Sequence, residues 1–384
     1  MIASDEILLP DKTRLRLPAG ETIMRTEHDL VVRFNRRHVL STSWLNGGYR
    51  EDLTAIFNHQ IPLAACHACH ATGDVKTYLE EVAASLSLDP ATTSGLITRA
   101  EMRNAAIVSA QYNGLSVTAV VTAGIDKNGG RAGDPASYYE TDGRFEPVGG
   151  TINTILVIGA DLPDFAIARA LMTATEAKAA ALQQLMARSI YSAGIATGSG
   201  TDMIAIVADP CSKIQLSDAG THSKLGELIG KTVIRAMHAA LEKETGLSPA
   251  SQYDALVRLS RYRVTEEVLW NVVAELYPQD PFDPEAKERF LLQLKTWAKK
   301  PRAVAIVAAA LHIVDETGWG LLPSQEVEES INRILRNRTG EVPEFRNDEM
   351  VLQGLSIALG RVVQPGRCCV QPGDTNTTGD ERKK

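Results

Sequence analysis

TINTILVIGA, residues 151–160, and SVTAVVTAGI, residues 116–125, are apolar along almost their whole length and too short to read as helices. They are the clearest buried strands in the chain, and the loop between them is rich in Gly, Asp and Asn, so the two can lie side by side. Upstream, TRLRLP, DLVVRF and HVLSTSWL partly alternate apolar and polar residues before Asn46-Gly47-Gly48 breaks the pattern, and they read as antiparallel strands. From Asp74 the spacing turns helical: VKTYLEEVAASLSL sets Val75, Tyr78, Leu79, Val82 and Leu86 on one side, and a second short helix is expected over 100–110. Downstream, a long Ala-rich helix runs from Pro163 to about Ser189, DMIAIVAD reads as a strand, and HSKLGELIGKTVIRAMHAALEKE as a further helix.

The fold class is therefore α/β in the α+β sense: a mixed β-sheet covered by helices, followed by a smaller all-α domain. The texture changes at Gly246-Leu247-Ser248-Pro249, beyond which only helical patterns appear, broken by Pro278, Pro281, Pro301 and Pro323. These boundaries give a first domain over 1–248, an all-α domain over 249–364, and a polar tail over 365–384 expected to be disordered. Cys368 and Cys369 at the root of that tail suggest no site.

The chain has 384 residues, 44% of them hydrophobic and 23% charged, enough for an ordinary core. A net charge of -7 and a pI of about 5.7 argue against a nucleic-acid or membrane-surface binder, since both partners attract basic faces, and point to a small-molecule ligand. MIASDEILLPDKTRLRLP contains no basic segment followed by an apolar run, so no secretory signal is expected. The longest apolar stretch, AVAIVAAALHIV from Ala303, falls short of the roughly 20 residues of a bilayer span. A cytoplasmic protein is the expectation.

Cys66, Cys69 and His70 spell CxxCH, the spacing of covalent c-type haem attachment. That chemistry belongs outside the cytoplasm. A structural zinc wants four converging ligands, whereas Cys66, His67, Cys69 and His70 crowd into five residues whose neighbouring side chains diverge. A polar loop with two incidental thiols is the reading ahead of both.

Chemistry-bearing residues concentrate in LNGGYRED, GGTINTI, TATEAK, ATGSGTD and HSKLGELIG, at the ends of predicted elements. In ATGSGTD the glycines Gly198 and Gly200 let backbone N–H groups approach a ligand, while Thr197, Ser199 and Thr201 offer hydroxyls and Asp202 a carboxylate, a set that suits an oxyanion hole as well as an ordinary turn. In HSKLGELIG, Ser223 is placed to cap a helix, Gly226 and Gly230 share a face open to close backbone approach, and His222 stands beside Lys224 and Glu227 as the histidine best placed for proton transfer. Its plain alternative is a solvated residue at a helix entrance. Glu176 and Lys178 of TATEAK lie two apart on a helix, so only one can enter a given cleft. Thr151 and Asn153 share one face of their strand, past Gly149 and Gly150, and a buried amide there needs partners.

Together and in order, LSTSWLNGG (40–48), FNHQIP (57–62), VVTAGIDKNGGRAGDP (120–135), GGTINTI (149–155), TATEAKAAAL (173–182), ATGSGTD (196–202) and HSKLGELIG (222–230) resemble the adenosylcobinamide amidohydrolase family of corrinoid-salvage enzymes. The resemblance runs through most of residues 25–245. It implies a hydrolase acting on a linear carbon–nitrogen bond: the amide joining the corrin propionyl arm to aminopropanol is cleaved to give adenosylcobyric acid for coenzyme B12 synthesis. An amide is a poor electrophile, so the site must supply a base, oxyanion donors and a proton for the leaving amine. The candidates are Asp202 or Glu176 as base, His222 or Lys224 as proton donor, and the backbone of Gly198 to Gly200 as oxyanion donors, with a covalent route through Thr197 or Thr201 left open. Asn46, Gly47, Gly48, Thr151, Asn153 and Glu227 complete the expected corrinoid contacts. No residue pattern demands a metal, though zinc or magnesium is compatible with hydrolysis.

The helical region lies outside this resemblance. RVTEEVLWNVVAELYPQD and NDEMVLQGLSIALG are faintly similar to an α-ribazole phosphatase related to phosphatidylglycerophosphatase A, in which Asp315-Glu316 and Asp348-Glu349 would hold Mg²⁺. The alternative is a packing or dimerisation module, which would make the chain a homo-oligomer. A corrinoid-binding protein without catalysis is the alternative for the whole.

Overall fold

A computed structural model describes residues 4–62, 75–136, 151–276, 285–323, 329–331, 333–334 and 354–359. The CHACHATGD stretch, Gly149, Gly150, Asp348, Glu349 and the tail over 365–384 lie outside the described residues. The chain divides into two compact units, Met1–Gln252 and Tyr253–Lys384.

In the first unit the strands run β1 (Ser4–Glu6), β2 (Arg14–Arg16), β3 (Thr22–Arg25), β4 (Asp29–Arg33), β5 (His38–Ser41), β6 (Gly48–Arg50) and β7 (Ala55–Gln60). Helix α1 (Val75–Ser85) follows, then β8 (Thr93–Thr98), β9 (Ala106–Tyr112), β10 (Leu115–Gly124), the short β11 (Gly129–Gly130) and β12 (Thr151–Ile158). Helix α2 (Asp164–Gln184), β13 (Gly198–Ser199), β14 (Met203–Ala208) and helix α3 (Lys224–Thr245) complete it. The strands form a seven-stranded sheet in the order β1-β9-β10-β12-β14-β5-β6, a five-stranded sheet β2-β3-β4-β7-β8, and a two-stranded ribbon β11-β13. The two large sheets are mixed: β12–β14 and β7–β8 are parallel, the other pairs antiparallel.

These sheets stack face to face, with helices outside. On β12, Ile152, Leu156 and Ile158 pack towards α2 and α3, whereas Ile155 and Val157 meet Leu30, Ile56 and Leu96 of the five-stranded sheet. Both faces of β12 are thus buried, which explains its unbroken apolar run. The outer face of the second sheet packs Val31, Ala55 and Phe57 against Val75, Leu79 and Val82 of α1. The order of layers is helix, sheet, sheet, helix. Among the described residues no helix is long and apolar enough to cross a membrane.

Two expectations need correction. No α-helix fills 100–110: a single 3-10 turn at Met102–Asn104 leads directly into β9, which pairs with β10 around Asn113-Gly114. Both turn residues have positive φ, 48° and 85°, so the Asn-Gly hairpin signal outweighs the helical spacing of the alanines. The Ala-rich helix stops at Gln184 rather than Ser189, because the chain turns left-handed at Met186 (φ 51°) and the Ala187 amide donates back to the Leu182 carbonyl.

Helix α3 is capped as its sequence indicates, but of the two glycines expected to meet another backbone only Gly226 does so. The Ser223 hydroxyl accepts from the Gly226 amide at 2.9 Å, and Gly246 ends the helix at φ 72°. Gly226 sits against the preceding loop, where an added Cβ would lie 2.0 Å from the Gly220 carbonyl oxygen; Gly230 faces open space. Gly226→Ala is expected to cost about 3 kcal/mol, and Gly230→Ala is expected to be neutral or mildly stabilising through helix propensity, both read from urea unfolding.

The second unit packs α4 (Ala255–Leu259), α5 (Glu266–Leu276), α6 (Ala286–Ala298) and α7 (Pro301–Gly318) around Leu259, Leu269, Leu294, Trp297 and Val307.

Candidate active site

The start of β12 is the centre of a polar cluster. Parallel pairing sets Asn153 opposite Met203, so the ATGSGTD turn, which ends at β14, lies beside Thr151. The turn is organised by Asp202. Its Oδ1 accepts from the Ser199 hydroxyl at 2.6 Å and from the Ile152 and Ser199 amides, each at 3.1 Å. Lys178 of α2 pairs with its Oδ2, both side chains being about 16% and 15% exposed. An added Cβ on Gly198 would lie 2.3 Å from Asp202 Oδ2 and 2.7 Å from Lys178 Nζ, so only glycine admits the ion pair. The hydroxyls of Thr151 and Thr201 are hydrogen-bonded to each other.

Behind Thr151 runs a buried amide network. Asn153 Nδ2 donates to Asn58 Oδ1 at 2.7 Å and to the Ile97 carbonyl at 2.9 Å, and Asn58 Nδ2 donates to the Thr122 hydroxyl at 2.8 Å. It joins β7, β8, β10 and β12 between the two sheets. Asn153 is 1% exposed, and its Oδ1 has no hydrogen-bond partner among the described residues. Such an acceptor costs about 1–3 kcal/mol and is a feature concentrated at functional sites.

The predicted residues fall into separate places. Asp202, Thr201, Thr151, Asn153 and Gly198 are brought together. Thr197 stands at the edge of this group, its hydroxyl accepting from the Ala132 amide at 2.9 Å, and Gly200 is the exposed tip of the turn. The Ser199 and Thr201 amides are spent inside the turn, on Asp202 and on the Ser199 hydroxyl, so they are not free oxyanion donors. Glu176 lies on the exposed side of α2, while Lys178 enters the cluster.

Asn46 holds a different joint. With φ at 51° its Nδ2 donates at 2.7 Å to the Pro90 and Thr93 carbonyls at the start of β8, and Gly47 and Gly48 continue that turn. Asn153 instead binds near the other end of β8, about 13 Å along the strand. The third group is farther still. Lys224 stacks over Tyr112 at the start of α3, while Glu244 near its end packs against Gly124, which pairs with Thr151. The helix spans about 33 Å. His222, Lys224 and Glu227 therefore stand at the opposite end of the sheet from Asp202 and do not act on one bond with it. There Lys224 and Lys231 hydrogen-bond Glu227 and push its carboxyl down to about 2. His222 itself is exposed. His222→Ala is expected to leave turnover within about twofold of wild type.

Sequence reasoning named Lys178 and Ser199 without giving either a catalytic or binding role, and passed over Asn58 and also Asp126 in the turn after β10. Partial burial raises the Asp126 carboxyl above its ordinary range, against the opposing pull of Arg188 and Lys127. In the helical unit, Asp315 is taken by Arg261 at 2.8 and 2.6 Å and by the Tyr262 hydroxyl, and Glu316 faces His312 at 3.2 Å. Among the described residues no group of three His, Cys, Asp or Glu side chains is gathered as a metal site.

Residues 14–249 match the family model described as adenosylcobinamide amidohydrolase. The chain belongs to this family. A relative from the same family, named adenosylcobinamide amidohydrolase, from Methanosarcina mazei is 28% identical over 206 residues, covering 52% of this chain and 87% of that protein. An uncharacterized protein of Methanocaldococcus jannaschii, MJ1613, is 36% identical over 228 residues, 56% of this chain and 86% of its own length. Among solved structures, the PH0078 protein from Pyrococcus horikoshii OT3 is similar at 14% identity with a TM-score of 0.29, over 63% of this chain and 84% of that one. The adenosylcobinamide amidohydrolase match ends at 249, so it covers the layered sheet unit and stops short of the helical one.

Proposed function

We propose that the chain hydrolyses the amide of adenosylcobinamide to adenosylcobyric acid and aminopropanol, a salvage step towards coenzyme B12. One observation carries the reading: segments far apart in sequence, at 58, 122, 151–153, 178 and 199–202, converge through direct side-chain hydrogen bonds at one end of the stacked sheets. Within it Asp202 acts as a clamp rather than as a base, since its oxygens already hold Ser199, Ile152 and Lys178. What the clamp presents is the pair of hydroxyls at Thr151 and Thr201, backed by an amide network that pins the strand. Corrinoid side arms are amides, and a glycine-bearing turn lets such an arm approach the backbone closely.

Purified full-length protein incubated with adenosylcobinamide is expected to release free aminopropanol, detected by mass spectrometry. Corrinoid that binds and stays intact would replace this reading with a binding or delivery protein.

A further inference from the structure

With Asp202 clamped and His222 at the far end, amide hydrolysis at the Thr151 end still needs a group that moves protons. His59 sits at that end, near the close of β7. Next to it in sequence, Asn58 points between the sheets into the Asn153 network, so His59 points to the outer face. There it stands directly opposite Asp29 on β4. His59 Nδ1 lies 2.7 Å from Asp29 Oδ1, and Nε2 lies 2.9 Å from the Tyr78 hydroxyl of α1.

The directions of these bonds follow from chemistry. An ionised carboxylate only accepts, so Nδ1 carries the hydrogen, and Nε2 of the neutral ring accepts from the phenol. Asp29 is itself fixed, its Oδ2 accepting from the Thr26 hydroxyl at 3.2 Å and its amide donating back to that oxygen at 3.0 Å. The His59 and Asp29 side chains are 12% and 14% exposed. Among the described histidines, His59 alone is shown with both ring nitrogens bonded to side chains. A hydroxyl on an imidazole that a carboxylate orients is the arrangement that activates a nucleophile or a water.

We propose that Asp29, His59 and Tyr78 form the proton relay of this amidohydrolase, with Tyr78 the catalytic residue and His59 and Asp29 acting through it; this rests on the amide-hydrolysis reading above. Tyr78 Oη takes a proton from the attacking water while its own proton passes to His59 Nε2, and the water oxygen bonds the amide carbon. As the C–N bond breaks, its electron pair goes to nitrogen, which takes the proton from Tyr78, and Tyr78 recovers its own from His59. One water is consumed, and a carboxylic acid and an amine are formed. A corrinoid is broad enough to reach over a strand end from the inter-sheet network to the outer face, about 10 Å away.

The test uses full-length wild type, Tyr78→Phe, His59→Gln and Asp29→Asn. Tyr78→Phe and His59→Gln are expected to lower kcat on adenosylcobinamide about 100-fold or more with KM nearly unchanged, and Asp29→Asn to lower it less. Tyr78→Phe keeps the ring that packs beside His59, so its loss reports chemistry rather than folding. A second readout needs no substrate: an aryl sulfonyl fluoride loses fluoride and forms an O–S bond with a phenol whose proton a neighbouring base removes. Peptide mass spectrometry is expected to show Tyr78 labelled about tenfold faster in wild type than in His59→Gln. Equal labelling with undiminished kcat in Tyr78→Phe overturns the relay. Labelling that depends on His59 in a wild type releasing no aminopropanol sustains the relay and overturns the substrate.

Discussion

Asp202→Asn is expected to lower the unfolding free energy by about 3 kcal/mol and turnover by about two orders of magnitude. The stability loss arises because Lys178, only 16% exposed, keeps its charge and loses its partner, while the new amide nitrogen faces donors that a carboxylate had satisfied. The activity loss is positional. Without the clamp, the Ser199–Asp202 turn no longer fixes Thr201 against Thr151, and displacement by about 1 Å is enough for a 100-fold fall. Lys178→Met should be destabilising for the converse reason, and the double variant should cost less than the sum of the singles, because removing both charges leaves neither stranded. Urea unfolding of the three variants with aminopropanol release measured alongside checks this. An Asp202→Asn protein as stable as wild type yet inactive would show Asp202 to be the base itself.

Why the clamp was only half visible in the sequence is a matter of geometry. Periodicity shows that Glu176 and Lys178 leave α2 in different directions, but not which of them meets the turn. That depends on how α2 lies across β14. Thr151 and Asn153 were legible as one face of a strand because a period of two needs no tertiary knowledge. The second sheet was not legible. Alternation in DLVVRF and HVLSTSWL marks strands, but β4 and β5 go to different sheets, a choice made by pairing partners and not by either sequence. Likewise, HSKLGELIG follows ATGSGTD closely enough to suggest one site, yet α3 begins at the Ile158 end of the sheet and carries His222 away from Asp202. His59 lay in plain view in FNHQIP, but Asp29 and Tyr78 reach it from another strand and a helix. The Asn-Gly at 113–114 was the one missed signal with a local remedy, since it marks a two-residue hairpin turn by itself.

Asp315→Ala is expected to be the most damaging single change in the helical unit, at about 4 kcal/mol. Arg261 is 3% exposed in its side chain and meets both oxygens of Asp315, and the Tyr262 hydroxyl donates to the same carboxylate. Burial drives the Tyr262 phenol well above its usual range, so it stays protonated and remains a donor. Removing the carboxylate leaves a buried guanidinium and a buried hydroxyl with their principal acceptor gone, whereas replacing Arg261, Tyr262 and Asp315 together by Met, Phe and Leu removes all three needs and should be nearly neutral. Hydrogen exchange along the 3-10 turn Ser260–Tyr262 that follows α4 and along α7, which carry the two ends of this cluster, distinguishes the single from the triple variant. The same geometry bears on magnesium: a cation at Asp315 must compete with Arg261 for both oxygens. Millimolar Mg²⁺ is therefore expected to leave exchange in α7 unchanged, and protection by Mg²⁺ that disappears in Asp315→Asn would mean that the carboxylate releases Arg261 to bind metal, reviving a phosphatase role for this unit.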